Sequence, residues 1–199
     1  MRKALLACSV SALLVAGCSE QKAPPPPAPP VAVKGDMELL VEKGQKDFKD
    51  FETWFHIADL YERAQQYPQE LDALQKVIAA KPDMGFAYYK MANTYNRLGK
   101  REEAIKSFLE AKKLLPNSPA LYNNLGWTYG QVGKVKEQVA ALRQAVSLRP
   151  RYATARLSLG LVLLGQGDRK GAEEQYAALL TFDEGAAADL KKEIEGKKP

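Results

Sequence analysis

The chain has 199 residues, with 29 basic and 24 acidic side chains for a net charge of +5, and 46% of it is apolar. That is enough apolar chain for a packed domain, while the interleaved charges give no single-signed basic strip for nucleic acid. One histidine, His56, and two cysteines, Cys8 and Cys18, provide no ligand cluster for a metal and no histidine-based acid–base set, so no catalysis, cofactor or small-molecule substrate is expected.

Arg2 and Lys3 precede an apolar stretch from Ala4 to Gly17. It is shorter than the about 20 residues a membrane-spanning helix requires and has the charge order of a secretory signal. The stretch ends Leu14-Val15-Ala16-Gly17-Cys18. This resembles the lipobox of bacterial lipoproteins, with valine a less common residue at the third place before the cysteine. The resemblance implies cleavage after Gly17 and lipid attachment to Cys18, and Ser19 in place of aspartate resembles the pattern sorted to the outer membrane. Loss of Arg2 and Lys3 with residues 1–17 takes the basic count from 29 to 27 against 24 acidic, or +3. A buried acyl chain contributes ~0.8 kcal/mol per methylene, and stable anchoring takes more than one chain.

Residues 18–35 form the lipidated cysteine and a linker that contains Ala23-Pro24-Pro25-Pro26-Pro27-Ala28-Pro29-Pro30. Such chain builds no core and favours extended polyproline II, reaching up to ~50 Å as a semi-rigid stalk. A ligand for a proline-reading domain is the alternative. The tether is preferred, since such domains are not expected in a bacterial envelope. Residues 36–50 follow as a capping helix, where Met37, Leu40 and Val41 have helical spacing.

Beyond it the chain repeats itself. Pro82, Pro116 and Pro150 stand 34 residues apart, as do Gly99, Gly133 and Gly167. Three strings superpose without a gap: Trp54-x-x-Ile57-Ala58-x-x-Tyr61, Tyr88-x-x-Met91-Ala92-x-x-Tyr95 and Tyr122-x-x-Leu125-Gly126-x-x-Tyr129. The second halves keep step through Ala104, Phe108 and Ala111, then Gln138, Leu142 and Ala145. A fourth unit keeps Leu159-Gly160-x-x-Leu163 and Ala172-x-x-x-Tyr176-x-x-Leu179, but places Arg156 at the aromatic position and Glu184 at the proline.

A period of this length selects stacked helix pairs. The large, small and aromatic residues of each string share one helical face, so Ala58, Ala92, Gly126 and Gly160 are the expected packing points. The three loop glycines suit a left-handed backbone after the first helix, and Gln65 holds that place in unit one, where Pro68 restarts the chain as helix. The prolines end the second helices, with Asp83 and Ser118 as expected N-caps and Pro119 at a first helical position. Ala186, Leu190 and Ile194 suggest a terminal capping helix in residues 185–199, with a lysine-rich tail.

The pattern closely resembles the tetratricopeptide repeat family over residues 51–184. The resemblance implies an all-α, right-handed solenoid of antiparallel helix pairs, with four repeats at 51–84, 85–118, 119–152 and 153–184 between the capping helices. In that family the first helix of each unit lines a concave groove one, five and eight places after the large position. Carried onto this chain, the groove takes Phe55, Asp59 and Glu62, then Tyr89, Asn93 and Asn96, then Asn123, Trp127 and Gly130, and last Leu157, Leu161 and Leu164. Asparagines can donate to and accept from an extended peptide, and Trp127 and Tyr89 add apolar area with a polar tip. A subclass of the family clamps acidic C-termini; Asn93 and Asn124 match its amides, but Tyr89, Thr154 and Ser158 stand where its cations would. The leucines of unit four have a second reading, as packing beneath the C-terminal helix.

The sequence therefore reads as a membrane-tethered, non-enzymatic scaffold of the bacterial envelope, on the periplasmic face of the outer membrane, binding an envelope protein or peptide. It resembles repeat lipoproteins that assist type IV pilus secretin assembly. Adaptors for barrel-protein insertion or cell-wall hydrolases, and a self-associating accessory module, share this make-up, and nothing in the sequence sets the oligomeric state.

Overall fold

The structure, a computed structural model, describes residues 31–196, so the signal, Cys18 and nearly all of the proline-rich linker lie outside the described residues. Ten helices and no strand occupy the described part. They are α1 (Val31–Lys46), α2 (Phe51–Arg63), α3 (Tyr67–Ala80), α4 (Gly85–Arg97), α5 (Arg101–Leu114), α6 (Pro119–Gln131), α7 (Val135–Leu148), α8 (Ala153–Gly165), α9 (Arg169–Leu179) and α10 (Glu184–Gly196). None is long and apolar enough to cross a membrane. Helices two to nine form four pairs, each pair packed on the next, with α1 against α2 and α10 against both α8 and α9.

The repeated residues make this stack. Ala58 and Ala92 are fully buried, and Gly126 and Gly160 leave room for a neighbour to come close. A Cβ on Gly126 would stand 3.0 Å from Leu142 Cγ, and one on Gly160 only 2.5 Å from Leu190 Cδ2. Trp54, Ile57, Leu74 and Val77 form one core, which Leu40 and Val41 of α1 pad from outside. Phe108, Leu121, Tyr122 and Leu125 form the next, and Leu142, Leu159 and Leu163 join units three and four.

The connections follow their turn chemistry. Gly99, Gly133 and Gly167 have φ of 75°, 72° and 84°, and Gln65 adopts the same left-handed backbone at 55°. Ser118 caps α6, its Oγ accepting from the Leu121 amide at 3.4 Å, with Pro119 just inside the helix. Asp83 does not cap α4: the helix begins at Gly85 and Met84 holds the cap position without a side-chain bond. The reason is register, since Ser118 stands two residues after its proline and Asp83 only one after Pro82. In the C-terminal helix Leu190 and Ile194 are buried as expected, while Ala187 rather than Ala186 completes the buried stripe and Ala186 lies at its margin.

Candidate functional site

The first helices of the four pairs, α2, α4, α6 and α8, share one long face. At its centre lies a cleft of about 460 Å³ lined by Glu62, Lys90, Asn93, Asn96, Arg97, Asn123, Asn124, Trp127, Thr154 and Ser158. Helix α2 contributes Glu62, and α4, α6 and α8 contribute positions three or four apart, which stand one above another on a helical surface.

Asparagines cross the cleft from one helix to the next. Asn124 Nδ2 donates to Asn93 Oδ1 at 2.9 Å and to the Tyr89 hydroxyl at 3.0 Å, while Asn124 Oδ1 accepts from Asn123 Nδ2 at 3.2 Å. Asn96 Nδ2 donates to Thr128 Oγ1 at 2.8 Å, and that hydroxyl donates back along its own helix to Asn124 O at 2.7 Å. Asn123 Oδ1 is buried and has no acceptor's partner among the described residues. A buried carbonyl left unpaired costs about 1–3 kcal/mol, so a donor arriving from outside would be favoured there. Arg101 donates to Asn96 O and lays its guanidinium 4.9 Å from the centroid of the Trp127 ring, which remains 47% exposed.

Towards the N-terminal end the face becomes charged. Lys90 Nζ meets Asp59 at 2.7 Å and Glu62 at 2.5 Å, and Glu62 also holds Arg97 at 3.0 Å. Burial works against the Lys90 ammonium, but the hydrogen bonds to Asp59 and Glu62 outweigh it and raise its pKa above the ordinary lysine value. These carboxylates neutralise the cations beside the asparagines. Phe55, Phe86 and Tyr89 continue the face as an aromatic row, with centroids 5.9 and 5.7 Å apart.

Of the residues expected to line the groove, Glu62, Asn93, Asn96, Asn123, Asn124 and Trp127 meet in one cleft. Asp59 and Tyr89 adjoin it through Lys90 and Asn124, and Phe55 lies in the aromatic row. Leu157 and Leu161 instead pack with Leu164 against Ala187, Leu190 and Ile194 of α10, which occupies that end of the face. Lys90, Phe86, Arg97 and Arg101 were not anticipated. The signal was available for the first two: Lys90 stands two places after Tyr88, as Asn124 does after Tyr122, and Phe86 stands one helical turn before Lys90.

Two sequence profiles match the chain, TPR repeat at residues 92–133 and Tetratricopeptide repeat at residues 123–188. No match exists among curated protein sequences. Solved structures are similar along most of the chain. The crystal structure of MamA has a TM-score of 0.70 at 19% identity, covering 82% of this chain and 91% of that one. MamA residues 41 to the end from Desulfovibrio magneticus RS-1 give 0.67 at 16%, covering 85% and 89%. YrrB, described as a TPR protein with an unusual peptide-binding site, gives 0.68 at 21%, covering 81% and 87%. Together these support the tetratricopeptide repeat family and show its fold.

Proposed function

We propose that this array of tetratricopeptide repeats is a scaffold that grips an extended segment of another protein along α4 and α6. The observation that carries the reading is the pairing of a buried, unpartnered carbonyl, Asn123 Oδ1, with the exposed face of Trp127 in the same cleft. An extended strand offers alternating backbone N–H groups and side chains, which suit the asparagines and the indole respectively. The likeness to YrrB, a peptide-binding TPR protein by its description, supports the choice of ligand class. No catalytic role is assigned to any residue.

The finer part of the proposal rests on the N-terminal sequence. Lipid on Cys18 tethers the array to the periplasmic face of the outer membrane, the proline-rich stalk sets its distance, and the gripped segment belongs to an envelope protein whose complex it helps assemble, with pilus secretin biogenesis as one setting. A photocrosslinker at Trp127 or Tyr89 is expected to capture one discrete protein in cells, with Lys106 on α5 as the control site. Capture at Lys106 alone would move the interface off the groove. Separately, Cys18→Ala is expected to release the protein from membranes, and its retention there would remove the anchor.

A further inference from the structure

The period breaks twice at one spot, and the two breaks meet. At the large position the four units carry Trp54, Tyr88, Tyr122 and Arg156; at a position of the second helix they carry Ala73, Ser107, Ala141 and Gln175. The three small residues are buried, as Trp54 and Tyr122 are. In unit four an aromatic–small pair has become an arginine–glutamine pair, and Arg156 Nη1 donates to Gln175 Oε1 at 2.8 Å. Arg156 Nε donates to the Pro150 carbonyl at 2.6 Å, which fixes the plane of the guanidinium.

The exchange lines a cleft of about 520 Å³ between α7, α8 and α9. Its floor is apolar, with Val146, Leu159 and Leu163, and Arg143 and Lys170 join Arg156 around it. Two carboxylates are present as well: Asp168 accepts from the Gly171 amide at 2.8 Å as the cap of α9, and Glu174 lies on the rim. Three cations against two carboxylates leave the cleft net positive. A guanidinium has five N–H donors in a rigid fork. Two have protein acceptors among the described residues, and Arg156 forms no ion pair there. Burial pushes the Arg156 pKa down from its ordinary value. On α8, residues two apart are turned by about 200°, so Arg156 points away from Thr154 and Ser158, which line the groove.

We propose that the cleft between α7, α8 and α9 is a carboxylate-binding site, with Arg156, held by Gln175 and the Pro150 carbonyl, as the receptor for an acidic side chain or a free chain terminus of a partner polypeptide. A guanidinium held at Nε and Nη1 keeps three N–H groups, both of those on Nη2 among them, to donate to a planar carboxylate. Val146, Leu159 and Leu163 supply apolar surface for the carbons that carry it. The site is independent of the groove and acts whether or not the groove is filled.

The test titrates the labelled full chain with three probes while following the Arg156 Nε–H and Gln175 side-chain amide signals by NMR. One probe is an N-acetylated peptide with neutral side chains and a free C-terminus; the second is an amidated peptide with a single glutamate; the third is inorganic phosphate. Saturable shifts with at least one peptide are expected, and the peptide that saturates at lower concentration identifies the source of the carboxylate. Arg156→Tyr, which restores the residue of units two and three, is expected to weaken binding about tenfold or more. Arg156→Lys keeps the charge without the fork and is expected to weaken it too, which keeps the test decisive should the tyrosine variant pack poorly. Shifts that do not saturate, equal affinity in Arg156→Lys, or tighter binding of phosphate than of either peptide would overturn the assignment.

Discussion

Units one and four build the same cleft from opposite materials. The unit-one cleft, about 400 Å³, is bounded by α1, α2 and α3, and Val41, Trp54, Asp72 and Ala73 occupy the places of Arg143, Arg156, Glu174 and Gln175. Trp54 is 2% exposed; its indole presses on Gly44, where a Cβ would come within 2.9 Å of the ring, and Lys76 Nζ lies 4.1 Å above the ring centroid. Unit four has Val146 in place of that glycine and a guanidinium in place of the indole. The backbone of the repeat thus fixes a cavity, and its side chains decide whether it becomes core or receptor. Units two and three keep tyrosine there and belong with unit one.

The contrast has a direct energetic test. Truncating a buried tryptophan removes its transfer free energy and leaves a cavity, so Trp54→Ala is expected to cost about 3–5 kcal/mol. Arg156→Ala removes two hydrogen bonds from a partly buried residue, and about 1 kcal/mol is expected. Urea unfolding followed by helical circular dichroism measures both. Equal losses would mean that Arg156 is a structural filler, and the distinction between the two clefts would fail.

A second difference between the same units concerns charge within the core. Where unit four has Ala172, unit one has Glu70, 1% exposed, with Oε2 unpartnered among the described residues. Burial raises the Glu70 pKa above 4.5; a hydrogen bond with Thr94 lowers it, Glu62 raises it, and Lys90 and Arg97 lower it, with burial prevailing. A carboxyl whose pKa is higher folded than unfolded favours the native state when protonated. Its penalty therefore appears as pH rises from about 4.5 through the folded value, and is fully present above that. Glu70→Gln keeps the shape and removes the charge, so a gain in stability near neutral pH, and none at pH 4, is the expected result of thermal melts at the two values. A gain at both would show that packing, not ionisation, sets the cost.

How far the sequence could be read follows the same division. Packing positions were legible because sterics punish departure at every unit: Ala58, Ala92, Gly126 and Gly160 recur since a larger side chain there meets a neighbouring helix. The three loop glycines were legible for the same kind of reason, a backbone conformation. The asparagines and Trp127 of the groove could be placed through the family's pattern. The place of Lys90 was open to the same spacing argument but its role was not, because that role depends on Asp59 and Glu62 of the preceding unit, roughly one period away, and a spacing rule carries no charge. Leu157 and Leu161 followed the groove pattern yet lie under α10, since a hydrophobic face at the end of a stack is covered by whatever helix follows. Arg156 was visible as a broken period, but its meaning needed Gln175, which contacts it only in the folded stack.

The smallest effect concerns the loop within each unit. Gly167 of unit four and Gln65 of unit one share a left-handed backbone, at φ of 84° and 55°. A side chain with a Cβ costs about 1–2 kcal/mol in that region, whereas glycine enters it freely but loses more entropy on folding, about 0.5–1 kcal/mol. The difference favours glycine, so Gln65→Gly is expected to stabilise the chain by about 0.5 kcal/mol, and Gly167→Gln to destabilise it by a similar amount or more. Gln65 is exposed, so its side chain contributes no packing that would mask the backbone term. Paired denaturation curves read the two changes against each other. Opposite signs would establish that the loop imposes one backbone on both units, and that unit one carries a strain which units two to four have shed. A loss from Gln65→Gly would instead give the glutamine a contact of its own, making the N-terminal unit distinct in its turn as well as in its cleft.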